Sequence, residues 1–306
     1  MVSPEEIEEA AERIRRGGLV AFPTETVYGL GANALDPDAV RRIYEAKGRP
    51  STSPLIVHVA DEAMAREIVS RWPPEASLLA RVFWPGSLTL VLPKAASVPD
   101  VVTAGLATVG VRVPNHPVAL ALLRVAQVPI AAPSANRFTE LSPTTAQHVR
   151  EGLGDRVDKV LDGGPCTVGI ESTVLSLVNR PELLRPGMVD REQLEALLGP
   201  IESAQDTPEG AHASPGMHAR HYRPRTRLMV GQPLPDGRGA YLYWSEPLPA
   251  EISLQMPDDA VSYASQLYDR LHGLDRLGLD WIAVEPVPDG AAWDGVRDRL
   301  RRASSD

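Results

Sequence analysis

Two cations held in place by their neighbours are the first candidates for chemistry: Lys47-Gly48-Arg49-Pro50 puts a glycine between them and a proline after them. Around them the sequence repeats one arrangement, an apolar run that ends in polar side chains. Leu19–Phe22 runs into Pro23-Thr24-Glu25-Thr26, and Val128–Ala132 runs into Pro133-Ser134-Ala135-Asn136. Glu171-Ser172-Thr173 opens another run, and Leu184-Arg185-Pro186-Gly187 locks a further cation before a turn. Ligands of α/β sheets favour the carboxyl ends of strands. Polar groups at strand ends facing fixed cations therefore make a candidate anion site. There is no G-x-S-x-G elbow, and Cys166 has no positioned base in view. Fixed cations and hydroxyls without a nucleophile suit transfer of a phosphate-bearing group by electrostatic stabilisation.

Each of these residues has a plainer reading as well. Lys47 and Arg49 follow a helix, where cations complement the helix dipole. Arg41 and Arg42 read as a solvated helix flank. Arg112, central in Gly110-Val111-Arg112-Val113-Pro114, is costly to bury alone. It should meet a carboxylate or phosphate, and an internal ion pair satisfies it equally well. His212, His218 and His221 cluster, but lack the partners of a metal site. His58 reads as a core or substrate-contacting imidazole. Gly29-Leu30-Gly31-Ala32-Asn33-Ala34 matches the dinucleotide fingerprint by letter. The fingerprint needs a strand feeding directly into a helix on its glycines, whereas the helix signal here comes only at Asp36-Pro37. No Walker A motif is present.

The elements that must position these residues are legible from caps and periodicity. Ser3-Pro4-Glu5-Glu6 is a capping box and Gly17-Gly18 ends its helix; Asp36-Pro37 starts the next, through Ala46. Further helices are expected over 61–71, 75–83, 116–126, 142–151 and 190–198. Strands are expected over 54–59, 87–92, 108–114, 128–132, 159–161, 172–177 and 182–185. The pattern stops between Gly199 and Arg225, a stretch of small, polar and proline residues that reads as a linker. Strands at 227–230, 239–243, 251–255 and 281–284, with helices at 259–271 and 291–302, form a second unit near the lower size limit for independent stability. The expected fold class is α/β. A twisted, largely parallel open sheet occupies 1–199, residues 200–225 link, and a small Rossmann-like domain occupies 226–306.

A net charge of −9 over 306 residues gives no global attraction to nucleic acid, and no run approaches the roughly 18 apolar residues of a membrane span. One cysteine excludes an internal disulfide framework and suits a reducing cytoplasm.

Taken together, FPTETVYGLG, the K-x-R of Lys47 and Arg49, PLIVHV, the S-x-N of Ser134 and Asn136, SPTTA, GIESTV and LLRPG resemble the YrdC-like family of threonylcarbamoyl-AMP synthases. Ser214-Pro215-Gly216-Met217 and Arg220-His221-Tyr222 are similar to the linker signature of its long form. The resemblance implies an L-threonylcarbamoyladenylate synthase. Such an enzyme converts L-threonine, bicarbonate and ATP, with Mg²⁺, into threonylcarbamoyl-AMP and diphosphate, and other tRNA-modification proteins take up the product. It implies that Thr26, His58, Arg112, Ser134 and Ser172 hold threonine. Arg49, Ser53, Thr108, Asn136, Thr144, Arg185 and Tyr222 would hold the nucleotide, with Lys47 and Arg49 catalytic at its phosphates and no metal ligand in the protein. One departure stands out: the family usually has Ser-Gly after the asparagine, where this chain has Arg137-Phe138-Thr139-Glu140. Two other functions compete, a carbamoyl-adenylate enzyme using carbamoyl phosphate and an RNA-binding module with weak tRNA affinity.

Overall fold

The computed structural model describes residues 2–204 and 222–305. Residues 205–221 lie outside the described residues, so the histidine cluster, most of the linker signature and the greater part of the expected linker are not described.

The chain begins with α1 (Pro4–Arg15), closed at its start by the Ser3/Glu6 capping box. A hairpin of β1 (Val20–Phe22) and β2 (Gly29–Asn33) follows, so the polar residues from Pro23 to Tyr28 form its turn. No strand was expected between Phe22 and Asp36, and β2 corrects that. The glycines lie inside β2, and Gly31 is there for packing: a Cβ on it would stand 2.7 Å from the Phe22 ring and 2.8 Å from Ile130. α2 (Pro37–Lys47) starts on Asp36, whose side chain accepts from the backbone of Asp38 and Ala39. Next come β3 (Ile56–His58), α3 (Glu62–Glu67), α4 (Pro74–Phe83), β4 (Leu88–Pro93), α5 (Asp100–Thr103) and β5 (Thr108–Arg112). α6 (Pro117–Ala126), β6 (Ile130–Ala131), α7 (Ala146–Leu153), β7 (Lys159–Val160), β8 (Thr173–Ser176), β9 (Glu182–Arg185), α8 (Arg191–Leu198) and β10 (Glu202–Ser203) complete the first unit. α7 starts four residues after the expected Ser142, because Thr145 and not Ser142 caps it. β10 carries the first sheet to Ser203, into the stretch expected to be linker.

These ten strands form one open sheet in the order β10-β9-β8-β4-β5-β3-β6-β2-β1-β7. The expected α/β open sheet is present. Its parallel pairs, such as β3–β5 and β4–β8, alternate with antiparallel ones, such as β4–β5 and β3–β6. The β3–β5 register sets His58 beside Arg112, and β6 ends one strand over at the Ser134 loop. Helices cover both faces: α1 and α6 pack over Val20, Phe22 and Ile130, and α2 and α4 over the other core.

The second unit contains β11 (Arg227–Val230), β12 (Gly239–Tyr243), β13 (Ile252–Gln255), α9 (Ala260–Asp275), β14 (Trp281–Val284) and α10 (Asp294–Ala303). Its sheet, ordered β11-β14-β12-β13, is parallel throughout. The apolar face of α9 is shared between the units. Tyr263, Ala264, Leu267 and Tyr268 belong to one buried cluster with Val27, Leu141, Ile170 and Tyr222. Gly169 allows this approach: with φ +80°, a Cβ there would fall 2.4 Å from the Ala264 carbonyl oxygen. A domain too small to bury its own helices therefore completes its core on the first.

Candidate active site

Thr24 and Thr26 stand where β1 turns. The Thr24 hydroxyl bonds Thr26 Oγ1 at 2.8 Å and donates to the Val27 carbonyl at 2.6 Å, which fixes both side chains without outside help. Arg112, at the end of β5, donates to Thr26 Oγ1 at 2.9 Å and to the Gly86 carbonyl at 3.0 Å. Its remaining nitrogen lies 2.6 Å from Glu25 Oε1, and the other Glu25 oxygen accepts from the Asn115 backbone. The internal ion pair is thus realised, and Arg112 also lines a cavity. His58 is buried beside it with Nδ1 lacking a partner among the described residues. Burial, reinforced by the Arg112 charge, brings its pKa down to about 3, so the imidazole is neutral.

On the opposite wall, Arg185 donates from Nε to the Ser172 carbonyl at 3.0 Å and from Nη2 to the Ser172 hydroxyl at 3.2 Å. Ser172 is held in turn by Thr89 at 2.8 Å. Arg49 enters from the loop after α2. One of its terminal nitrogens donates to Ser53 Oγ and to the Pro54 carbonyl, while its Nε has no acceptor among the described residues. Burial, with a smaller contribution from the nearby Arg185 charge, lowers the Arg49 pKa to about 10. Two buried guanidiniums close enough for the charge of one to lower the pKa of the other give this wall a positive potential suited to an anion.

The cavity between these walls is lined by eight of the expected residues: Thr26, Arg49, His58, Arg112, Ser134, Ser172, Arg185 and Tyr222. The other five are outside its lining. Lys47 is turned away. Its ammonium donates to the carbonyls of Ser134 and Asn136 and to Asn136 Oδ1 at 3.4 Å, so it bolts the cationic loop to the Ser134–Asn136 loop. Burial and the Arg49 charge hold its pKa well below the ordinary lysine value. Ser53 serves as acceptor for Arg49, and Asn136 clamps the carbonyls of Arg137 and Glu140. Thr144 contacts His148 at 3.4 Å, and Thr108 pairs opposite Pro93 in the sheet.

The residue that sequence reasoning passed over is Glu171, which also lines the cavity. Its carboxylate accepts from Arg299 Nε at 2.7 Å, from Tyr268 at 3.2 Å and from Ser142. Arg299 reaches it from α10, donates also to the carbonyls of Glu171 and Pro186 at 3.0 Å each, and stacks 5.3 Å from the Tyr222 ring centroid. Burial pushes the Glu171 pKa up. Arg299, Arg185 and the bonds from Ser142 and Arg299 outweigh it, so the group titrates below its ordinary value. The GIESTV motif exposes Glu171 to a reader. Nothing in the sequence around Arg299 announces that it crosses to another domain.

The space left in the cavity is about 50 Å³. One water needs roughly 10–15 Å³ on this measure, so a few waters fit and a nucleotide does not. Tyr222 is 1% exposed and closes one side, packed on Tyr268 at 6.0 Å between ring centroids.

Replacing Arg299 by Met leaves Glu171 as a buried charge without its cation, and a loss of about 3 kcal/mol or more is expected. Denaturant unfolding should show it, and adding Glu171→Gln to the same chain should recover most of it. The interface also responds to pH. The His148 and His272 rings stack at 3.9 Å between the domains, with Asp269 3.7 Å from His148 and Glu151 bonded to Arg276 at 3.0 Å. Burial, then the neighbouring His272 and Arg276, bring His148 down to about 3, and burial also lowers His272. The unfolded chain therefore takes up protons first as pH falls. The stability these groups contribute is complete above about 6.5 and is lost as pH falls towards the folded value. The apparent Tm should drop between pH 7 and pH 5, and His272→Gln should remove part of that drop.

The sequence and the fold match known proteins along nearly the whole chain. The family model described as Telomere recombination, Sua5/YciO/YrdC, matches residues 12–187, and that of the Threonylcarbamoyl-AMP synthase C-terminal domain matches residues 189–305. The Threonylcarbamoyl-AMP synthase of Bacillus subtilis strain 168 is 42% identical over 98% of this chain and 93% of its own length. That of Pyrococcus abyssi is 43% identical over 96% of this chain and 93% of its own. The crystal structure of P. abyssi Sua5 complexed with L-threonine superposes with a TM-score of 0.94, at 41% identity, covering 99% of this chain and 95% of that one. The chain belongs to the Sua5/YciO/YrdC family and carries the C-terminal domain found in its threonylcarbamoyl-AMP synthases.

Proposed function

We propose that this chain is an L-threonylcarbamoyladenylate synthase. The observation that carries the reading is the pair Arg49 and Arg185, set together in a cavity that also presents the hydroxyls of Thr26, Ser134 and Ser172 and a neutral imidazole. Its relatives of 42–43% identity bear the name of that activity, and the P. abyssi relative was crystallised with L-threonine.

The reaction needs two halves. The threonine amine attacks the carbon of bicarbonate and water leaves, giving a carbamate. A carbamate oxygen then attacks the α-phosphorus of ATP, and the bond to diphosphate breaks. Thr26, His58, Arg112, Ser134 and Ser172 form the amino-acid side. Arg112 is already balanced by Glu25, so its main effect is to hold Thr26 in place while offering residual positive potential to the threonine carboxylate. Neutral His58 offers an uncommitted ring nitrogen without adding a charge that would compete with the carbamate.

Arg49, Arg185 and Tyr222 form the nucleotide side. The arginines offset charge that develops on the phosphates as the bond to diphosphate lengthens. Lys47, Asn136, Ser53, Thr108 and Thr144 support that side from behind or beside the cavity. Mg²⁺ fits as an ion carried on the nucleotide: no group of three ligating side chains occurs among the described residues, and Glu171 is taken by Arg299. Mg²⁺ commonly binds through substrate phosphates and retained waters, and it would add charge neutralisation there.

A threonylcarbamoyl adenylate is a labile mixed anhydride that needs shelter from water, and the space present, about 50 Å³, is too small to hold it. Entry of ATP then requires the wall at Tyr222 to move. The product would pass to proteins that transfer the threonylcarbamoyl group to tRNA. No helix among the described residues is long and apolar enough to cross a membrane, which suits a cytoplasmic place for that work.

Diphosphate release that requires ATP, L-threonine and bicarbonate together tests the assignment. Arg49→Ala should lower that rate by about 100-fold or more. Release independent of threonine, or full activity in Arg49→Ala, would overturn it.

A further inference from the structure

The loop from Arg137 to Glu140, beside the cationic loop, is fastened on three sides. The Phe138 backbone donates to the Lys47 carbonyl at 2.9 Å. The Asn136 amide donates to the carbonyls of Arg137 at 2.8 Å and Glu140 at 2.7 Å. On the third side, the Arg223 backbone donates to the Thr139 carbonyl at 2.8 Å, and Arg223 bridges to Glu140. Thr139 holds φ 69°. That region is strongly disfavoured for a β-branched residue, so the surroundings impose the conformation.

What the loop carries is an aromatic ring. The Phe138 centroid lies 5.8 Å from Arg49 Cζ, within reach of a cation–π contact. Arg49 has particular need of one. It has no carboxylate partner among the described residues, its Nε has no acceptor there, and Arg185 repels it. Ser53 and Pro54 hold a single terminal nitrogen, which leaves the guanidinium plane free to turn about that anchor. A π face stabilises the charge and sets the plane, and it does so without the neutralisation that a carboxylate would bring.

We propose that Phe138 is a positioning residue for the nucleotide. Its ring holds the Arg49 guanidinium towards the phosphates, and its loop ties that placement to the backbone that follows Tyr222. The proposal rests on the assignment of Arg49 to the nucleotide side.

Phe138→Leu keeps apolar bulk and removes the π face. Its KM for ATP should rise about three- to tenfold, with KM for threonine changed by less than about twofold. Phe138→Tyr should restore the ATP value. In an Arg49→Gln chain, where affinity is read directly by calorimetry with a non-hydrolysable ATP analogue, Phe138→Leu should add nothing. A loss that falls equally on both substrates, that tyrosine does not restore, or that adds in full to Arg49→Gln would overturn the positioning role. If Arg49→Gln weakens the analogue and Phe138→Leu does not, only the proposal for Phe138 fails. If Arg49→Gln leaves the affinity unchanged, the nucleotide-side assignment fails with it.

Discussion

The buried pair of Glu171 and Arg299 is the constraint on which the other features depend. A carboxylate buried at the edge of this cavity is unfavourable unless a cation meets it. Arg185 of the first domain lowers the Glu171 pKa through its charge, but its Nε and Nη2 donate to Ser172. The cation comes instead from α10, 128 residues along the chain. Arg299 then bonds the Glu171 and Pro186 carbonyls and stacks on Tyr222, so one guanidinium ties the catalytic sheet, the second domain and the residue that closes the cavity. The small second domain gains in turn. Its helix α9 buries Tyr263, Leu267 and Tyr268 against Val27, Leu141 and Ile170, which gives it a core that about 80 residues rarely supply alone.

With Arg299 meeting Glu171 from the second domain, Arg49 and Arg185 can both line the cavity. This division of labour explains why the cavity can hold two guanidiniums, a neutral histidine and several hydroxyls without collapsing into internal ion pairs. Arg112 is the exception. It is paired with Glu25, and its effect on the site passes through Thr26. Lys47 is likewise diverted into holding the Ser134–Asn136 loop. Of the four cations that the sequence offered to the anion site, two face the cavity as charge and two act mainly as structure.

What the sequence made legible follows from the range of each interaction. Caps are local, so Ser3, Asp36 and Asp190 mark their helices correctly. Strand ends are local too, and Thr26, Ser134 and Ser172 converge because parallel and antiparallel strands bring those ends together. The β1–β2 hairpin was not legible, because Gly29 and Gly31 read as a loop motif. Their purpose, making room for Phe22, depends on a packing contact that no local pattern carries. The turning away of Lys47 depended on carbonyls almost 90 residues away. Arg299 was invisible for the same reason: in sequence it is one arginine of a basic helix, and only the docked fold gives it a partner.

Hydrogen exchange at the backbone of Ile170–Val174 reads the Arg299 link itself, because Arg299 bonds the Glu171 carbonyl and carboxylate there. The comparison is between the native chain and one with Arg299 changed to Lys, which keeps a charge and loses the fork of donors. The account predicts that protection falls together at Ile170–Val174, in α10 and around Tyr222, while β3, β5 and β6 keep theirs. Unchanged protection at Ile170–Val174, or a uniform loss across both sheets, would contradict it.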